Sequence, residues 1–250
     1  MTIQGVTHGP ISTGPTAATG SLKRTDTIGL RRAYASVIGA LFLLGFASYG
    51  TGFGLVTSVV GAHDFLSTIA AHRTTLVLGA FLMFVNSAVD LGKGVLFFPI
   101  VENHGKRTAL GYLATMIVEV VLLAVGALCL LLIVPLGPYA SADWARPVGA
   151  LLNEGNTLAY QLAMTSLAVG NVFLWSLAFR VRLIPRWLSV WGVVGYGMFL
   201  FGAIAEIFGS HIGLMCTIAG GLFEVFLGFW LIFKGFEPEP SQAPATRAIL

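Results

Sequence analysis

The sequence predicts an all-α, polytopic integral membrane bundle of six transmembrane helices with both termini in the cytoplasm. Three observations lead to this fold class: a shortage of charge, six long apolar segments, and a one-sided distribution of basic residues. Of the 250 residues, 56% are hydrophobic and 10% are charged, whereas about 25% of a typical soluble domain is charged. So few charged groups cannot cover the surface of a soluble protein, and we expect most of the chain to lie in lipid.

Six apolar segments are long enough to span a bilayer, which takes about 20 helical residues. They are residues 34–60, 74–100, 108–135, 156–180, 187–209 and 212–235. We expect helices, because an open sheet in lipid would leave backbone groups without hydrogen-bond partners. The polar stretches at 1–33 and 236–250 are expected to be flexible tails, which leaves one transmembrane domain at 34–235.

The basic residues predict the orientation, since Lys and Arg accumulate on the cytoplasmic side of membrane proteins. With the N-terminus placed inside, eleven of the fourteen basic residues fall in cytoplasmic segments. Only Arg73 and Arg146 fall outside, and Lys93 lies within a span. Cytoplasmic termini at both ends require an even number of spans, and six satisfies this. We therefore expect a multi-pass protein of the cell membrane whose first partner is the lipid bilayer.

Two outer connections contain short helical patterns. Asp64 is a candidate N-cap for an interfacial turn or for an early start to the second span. Leu151 and Leu152 indicate a short surface helix within residues 137–155.

The informative residues are the polar and charged ones inside the spans, because a charge at the bilayer centre costs about 2.5–3.5 kcal/mol on insertion scales. At 1.5 Å per helical residue, several of them reach roughly the same depth, about 14–18 Å from the cytoplasmic helix ends. The candidate set is Asp90, Lys93, Glu119, Asn171, Tyr196 and Glu224. A shared depth on five helices predicts a polar cluster near the midplane.

Helical spacing places Asp90 and Lys93 on one face of the second span, and the third span is its antiparallel neighbour. We expect Lys93 to reach Asp90, Glu119 or a position between them. Three acids and one base leave a charge of −2 if all are ionised. At least one carboxyl is then expected to be protonated, or a cation to bind there.

Two interpretations of this cluster remain open at the level of sequence. Polar groups can pair across helices and fix their packing, or they can form a proton, cation or small-solute site. Six helices are few for a transporter protomer, which favours a homodimer. A different class of function is a membrane-embedded enzyme or stress-response partner that uses a His/Asp group at the outer face.

That outer group consists of His63, His72 and His211 together with Asp64, a residue set that can bind zinc. The spacing gives little support, since neither HxxxH nor HExxH occurs. No histidine lies within a span to hold haem, and no nucleotide-binding motif is present. We expect no cofactor. A net charge of +3 reflects membrane orientation rather than nucleic-acid binding.

Three stretches carry a family resemblance: the basic pair Arg31-Arg32 before a Gly- and Leu-rich first helix, the connector Ile184-Pro185-Arg186-Trp187-Leu188, and the ending from Phe223 to Phe236. Over residues 31–236 the chain resembles domain-of-unknown-function family 4386, a group of polytopic bacterial membrane proteins. The resemblance implies a bacterial integral membrane protein and no particular activity. The family often carries an Arg three residues before the glutamate of helix three, where this chain has Met116 before Glu119.

Overall fold

The computed structural model describes residues 16–61 and 64–237, and this part of the chain is all-helical, with no strand. The helices are α1 (Thr16–Val60), α2 (Phe65–Ile133), α3 (Ala145–Val181), α4 (Arg186–Ile207) and α5 (Gly213–Phe233), with a 3-10 helix (Val134–Tyr139) between α2 and α3. All five α-helices are long and apolar enough to cross a membrane. Helical form follows from the bilayer, in which a helix satisfies its backbone hydrogen bonds internally.

Helix α2 has 69 residues and would be about 100 Å long if straight, several times the thickness of the bilayer core. It breaks at Gly105, where φ is −175° and ψ is 87°, and then folds back on itself. A Cβ atom on Gly94 would lie 3.3 Å from the side chains of Leu113 and Met116. Helix α2 is therefore a helical hairpin, with a first limb at residues 73–104 and a second limb at residues 106–133.

The hairpin differs from the predicted boundaries at Pro99. The second span was expected to end at residue 100, directly after Pro99, yet the first limb continues to the break at Gly105. A proline inside a membrane helix is tolerated when neighbouring groups satisfy the freed backbone. Proline lacks the N–H that would bond to the carbonyl four residues earlier, yet the first limb remains helical on both sides of Pro99.

Two helices begin earlier than their apolar cores. Helix α1 starts at Thr16, within the stretch expected to be a flexible tail, and helix α3 starts at Ala145 rather than at residue 156. Leu151 is thus part of α3 rather than of a separate surface helix, and it is 72% exposed. Hydropathy marks where a helix meets lipid, and a helix continues beyond that point until something in the sequence stops it.

For the first outer connection the sequence left two alternatives open, an interfacial turn and an early start to the second span. The start of α2 combines the two. Helical residues begin at Phe65 with Asp64 at the N-cap position, although the Asp64 side chain makes no capping hydrogen bond. The backbone leaves helical geometry at His72, where φ is −117°. A short helical piece therefore precedes the first limb.

The helices form a closed ring in chain order, because α1 packs against α2 and also against α5. Glycines allow the closest approaches. A Cβ on Gly39 would lie 2.5 Å from the carbonyl oxygen of Gly228 in α5, and a Cβ on Gly52 would lie 2.7 Å from that of Gly79 in the first limb. Small residues at such contacts let membrane helices pack backbone to backbone. The ring places side chains from all helices around one central axis.

Large apolar side chains cover the outside of the ring, among them Phe173, Phe201 and Leu214, which are 65%, 63% and 78% exposed. A soluble protein rarely exposes contiguous apolar surface on this scale. The exposed surface and the five apolar helices together identify a membrane protein.

Candidate functional site

Polar side chains from every helix of the ring meet in one internal cavity of about 160 Å³. It lies midway along the bundle and contains five of the six residues that the sequence singles out. Those five are Asp90, Lys93, Glu119, Tyr196 and Glu224. Residues at a common depth in the sequence are thus brought together by the fold.

Asp90 and Lys93 form the first group in this cavity. The Nζ atom of Lys93 lies 2.5 Å from Oδ1 of Asp90, and both side chains are 5% exposed. The other oxygen of Asp90 accepts a hydrogen bond from the side-chain amide of Asn86 at 2.6 Å. Nζ of Lys93 also lies 4.5 Å from the ring centroid of Phe42, a cation–π distance. Lys93 was expected to reach Asp90, Glu119 or a position between them, and it forms an ion pair with Asp90. This pair is electrically neutral.

Glu224 and Tyr196 form the second group, which joins α5 to α4. The Tyr196 hydroxyl donates a short hydrogen bond to Oε1 of Glu224. Tyr196 is 2% exposed, so this phenol is held inside the bundle with its polar end on the carboxyl. The expectation from sequence was a common depth for these two residues; their direct contact is a finding of the structure.

Glu119 is the third carboxyl group of the cavity. It is 1% exposed, and its Oε2 atom has no hydrogen-bond partner. No lysine or arginine of the described chain forms an ion pair with it. Met116, at the position where the family often has Arg, is buried beside Gly94 and supplies no charge. A buried polar atom without a partner is costly, which makes Glu119 the least satisfied group in the cavity.

Asn171 does not belong to the cavity, although its depth suggested that it would. Its amide nitrogen donates to the carbonyl oxygen of Leu167 at 3.0 Å, and its Oδ1 accepts from Nε1 of Trp175 at 3.1 Å. Both hydrogen bonds lie within α3. Asn171 therefore satisfies a buried tryptophan and has a structural role.

The cavity also has aromatic walls, which were not predicted from the sequence. Phe46, Tyr49, Tyr160 and Phe199 line it together with the charged groups. The rings of Tyr49 and Tyr160 stack across the bundle, with centroids 5.5 Å apart and an angle of 22° between planes. A tyrosine inside a span combines an apolar ring with a hydroxyl group that needs a polar partner. That property of Tyr49 and Tyr160 could have indicated from the sequence that they face a polar cavity.

A larger cavity of about 550 Å³ adjoins the first one. It lies toward the end of the bundle where α1 ends and α5 begins, and we call it the vestibule. Both cavities share five lining residues, which are Tyr49, Tyr160, Met164, Phe199 and Thr217. The two cavities are therefore adjacent, and the vestibule lies between the charged groups and that end of the bundle.

Glu206 lies on the wall of the vestibule. Its Oε1 atom accepts a hydrogen bond from the backbone N–H of Gly213 at 2.9 Å. Gly213 is the first residue of α5. The carboxylate thus caps a helix N-terminus, where negative charge is favourable.

Packed aromatic rings close the opposite side of the charged cavity. The ring of Phe97 lies about 6 Å from four others, with centroids at 5.9 to 6.3 Å. Its neighbours are Phe42, Tyr112, Trp175 and Phe236. This group, which we call the Phe97 cluster, makes the bundle asymmetric, with a vestibule at one end and dense packing at the other.

Two of the three outer histidines lie in the described part of the chain. His72 and His211 are exposed, and His63 lies outside the described residues. Within residues 16–61 and 64–237, no group of three or more His, Cys, Asp or Glu side chains could hold a metal ion. The charged cavity is the strongest candidate site in this part of the chain.

The model of the family named Domain of unknown function (DUF4386) matches residues 37–235. The chain belongs to this family. The match runs from the first turns of the apolar part of α1 to just beyond the end of α5, so it includes every residue of the charged cavity. The resemblance seen in the sequence is confirmed. Neither a curated protein nor a solved structure matches the chain.

Proposed function

We propose that this protein is a multi-pass protein of the bacterial cell membrane that handles a proton, a cation or a small cationic solute at the charged cavity. The observation that carries the proposal is a charge imbalance. Asp90 already neutralises Lys93, while Glu119 and Glu224 line the same cavity and have no basic partner among the described residues. Ionisable groups inside spans commonly mark proton or ion paths.

The proposal includes six membrane crossings with both termini in the cytoplasm. Support for six comes from the hairpin in α2, because each limb exceeds the about 20 residues that span a bilayer. Support for the orientation comes from the excess of basic residues on one side. In this orientation, the vestibule opens to the outside and the Phe97 cluster faces the cytoplasm.

A homodimer is the assembly we propose. Six helices are few for one transporter protomer, and the exposed Gly54 on α1 leaves room for a second helix at close range. The molar mass of the protein in detergent, measured by light scattering with the detergent subtracted, should be twice 26.5 kDa. A single-chain mass at all detergent concentrations would contradict the dimer.

The function is tested by flux in proteoliposomes that contain the full chain. Proton flux is followed with an enclosed pH-sensitive dye, and cation flux with an imposed Na⁺ or K⁺ gradient. Glu119→Gln should abolish the flux, since glutamine keeps the size of the side chain and removes its charge. Glu154→Gln is the matched control, because Glu154 is an exposed carboxylate outside the cavity.

Equal flux through the wild type and a folded Glu119→Gln variant would contradict the proposed function. The cluster would then act only in helix packing, where each polar contact contributes about 1 kcal/mol or less.

A further inference from the structure

We propose that the ligand of the charged cavity is a small organic ammonium ion, which enters through the vestibule and binds between Glu119 and the aromatic walls. This inference rests on the proposed function and narrows it to one class of cation. It draws on the unpartnered oxygen of Glu119, on the rings around it, and on the size and polarity of the two cavities.

The bound charge is positive because of how the charged groups are already paired. Both oxygens of Asp90 are used, one by Lys93 and the other by Asn86. Oε1 of Glu224 is used by Tyr196. Glu119 has a free oxygen, Oε2, although the residue is 1% exposed. An ammonium group beside Oε2 would satisfy this atom and offset its charge at the same time.

The rings favour an organic cation over a metal ion. An ammonium group is attracted to an aromatic ring within about 6 Å of the ring centroid, and the rings of Phe46, Tyr49, Tyr160 and Phe199 line the cavity. Calcium, by contrast, takes about 6–8 oxygen ligands. In the described part of the chain, no three His, Cys, Asp or Glu side chains are placed so that they could hold a metal ion together.

The volume limits the size of the ligand. A cavity of about 150 Å³ holds a molecule of the size of benzene, and the charged cavity has about 160 Å³. Tetramethylammonium is therefore within range, while tetrabutylammonium is too large.

The walls of the vestibule carry polar groups that suit a cation. The vestibule presents the amides of Asn153, Asn156 and Gln161 and the carboxylate of Glu206, and no lysine or arginine lines it. At its narrow end the stacked pair Tyr49 and Tyr160 belongs to both cavities. A cation thus meets amide oxygens and a carboxylate in the vestibule and then, in the charged cavity, a Lys93 that is already paired with Asp90.

The test is calorimetric titration of the purified full chain in nanodiscs, with ionic strength held constant. Tetramethylammonium chloride should bind saturably. Sodium chloride, the neutral tert-butanol and tetrabutylammonium chloride should give no saturable heat. Glu119→Gln should abolish the binding of tetramethylammonium, and Glu154→Gln should leave it unchanged.

The aromatic contribution is measured with a matched pair of variants. Tyr49→Leu should weaken tetramethylammonium binding about 5- to 30-fold, the range that corresponds to losing one desolvated cation–π contact. Tyr49→Phe keeps the ring and should bind within about twofold of the wild type. If Tyr49→Leu does not fold, Tyr160→Leu on the facing helix replaces it.

The outcomes separate the two proposals. Glu119-dependent proton or sodium flux without tetramethylammonium binding would overturn the ammonium inference and leave the proposed function in place. Equal binding of tert-butanol, or equal affinity in Tyr49→Leu and Tyr49→Phe, would also overturn it. Absence of both binding and Glu119-dependent flux would overturn both proposals.

Discussion

Lys93 and Asp90 form an ion pair inside the bundle, with 2.5 Å between Nζ and Oδ1, one helical turn apart on the same limb of α2. Because the pair is neutral and buried, it provides a fixed polar wall for the cavity rather than a free charge. The same geometry makes the pair sensitive to the loss of either member.

Lys93→Met is expected to lower the free energy of unfolding by about 3–5 kcal/mol, because it leaves a buried carboxylate without its cation. The double variant Asp90→Asn/Lys93→Met should lose much less than the sum of the two single losses. Denaturant unfolding in detergent micelles measures this double-mutant cycle. Lys234→Met is the control, since Lys234 is exposed, and additive losses in the cycle would contradict the pairing.

Asn171→Leu is expected to destabilise the protein by about 1–3 kcal/mol without changing cation binding or flux. The variant leaves Nε1 of Trp175 without its acceptor, and a buried unsatisfied donor costs about this much. Unfolding and flux are measured on the same preparation. A loss of flux in a folded Asn171→Leu protein would place Asn171 in the site after all.

Gly39→Ala is expected to disrupt the contact between α1 and α5 and to destabilise the protein by about 1–3 kcal/mol, the usual cost of overpacking. The new methyl group would lie 2.5 Å from the carbonyl oxygen of Gly228. Gly197→Ala makes the same chemical change on α4, where nothing lies within 4 Å of the new atom, and should be neutral or slightly stabilising. Thermal unfolding compares the two, and equal shifts would mean that helix propensity, not contact, decides the outcome.

Cysteine labelling tests the route through the vestibule. In a Cys129→Ala/Cys216→Ala background, Gln161→Cys should react with a membrane-impermeant cationic thiol reagent, because Gln161 lines the vestibule. Ala178→Cys, farther along the same helix and 1% exposed in the packed core, should not react. Labelling of Gln161→Cys only from the cytoplasmic side would contradict the proposed orientation.

Much of the cavity could be predicted from helix depth alone. Counting 1.5 Å per residue placed Asp90, Glu119 and Glu224 at one level, and the nearly antiparallel helices kept them there. Depth fixes height along a helix but not the direction in which a side chain points. This is why Asn171 was placed in the cluster and in fact bonds within its own helix.

The remaining features depend on packing, which sequence patterns do not record. Tyr49 and Tyr160 come from helices that are far apart in sequence, and only the closed ring stacks them. The unpartnered Oε2 of Glu119 is likewise a property of what surrounds it. The end of a helix was predicted well where a turn follows directly, as at Ile207. It was predicted poorly where the helix extends beyond its apolar part, as at Thr16.

The hairpin at Gly105 also bears on how the chain enters the membrane during synthesis. Three of the charged residues, Asp90, Lys93 and Glu119, lie on its two limbs, and each limb alone would carry its charges into lipid at a cost of about 2.5–3.5 kcal/mol per residue. Lys93 and Asp90 pair within the first limb, so that limb carries a neutralised pair whether or not the second limb inserts with it. The carboxyl group of Glu119 has no such neighbour on its own limb, and the turn at Gly105 brings it to the cavity that Asp90 and Lys93 also line.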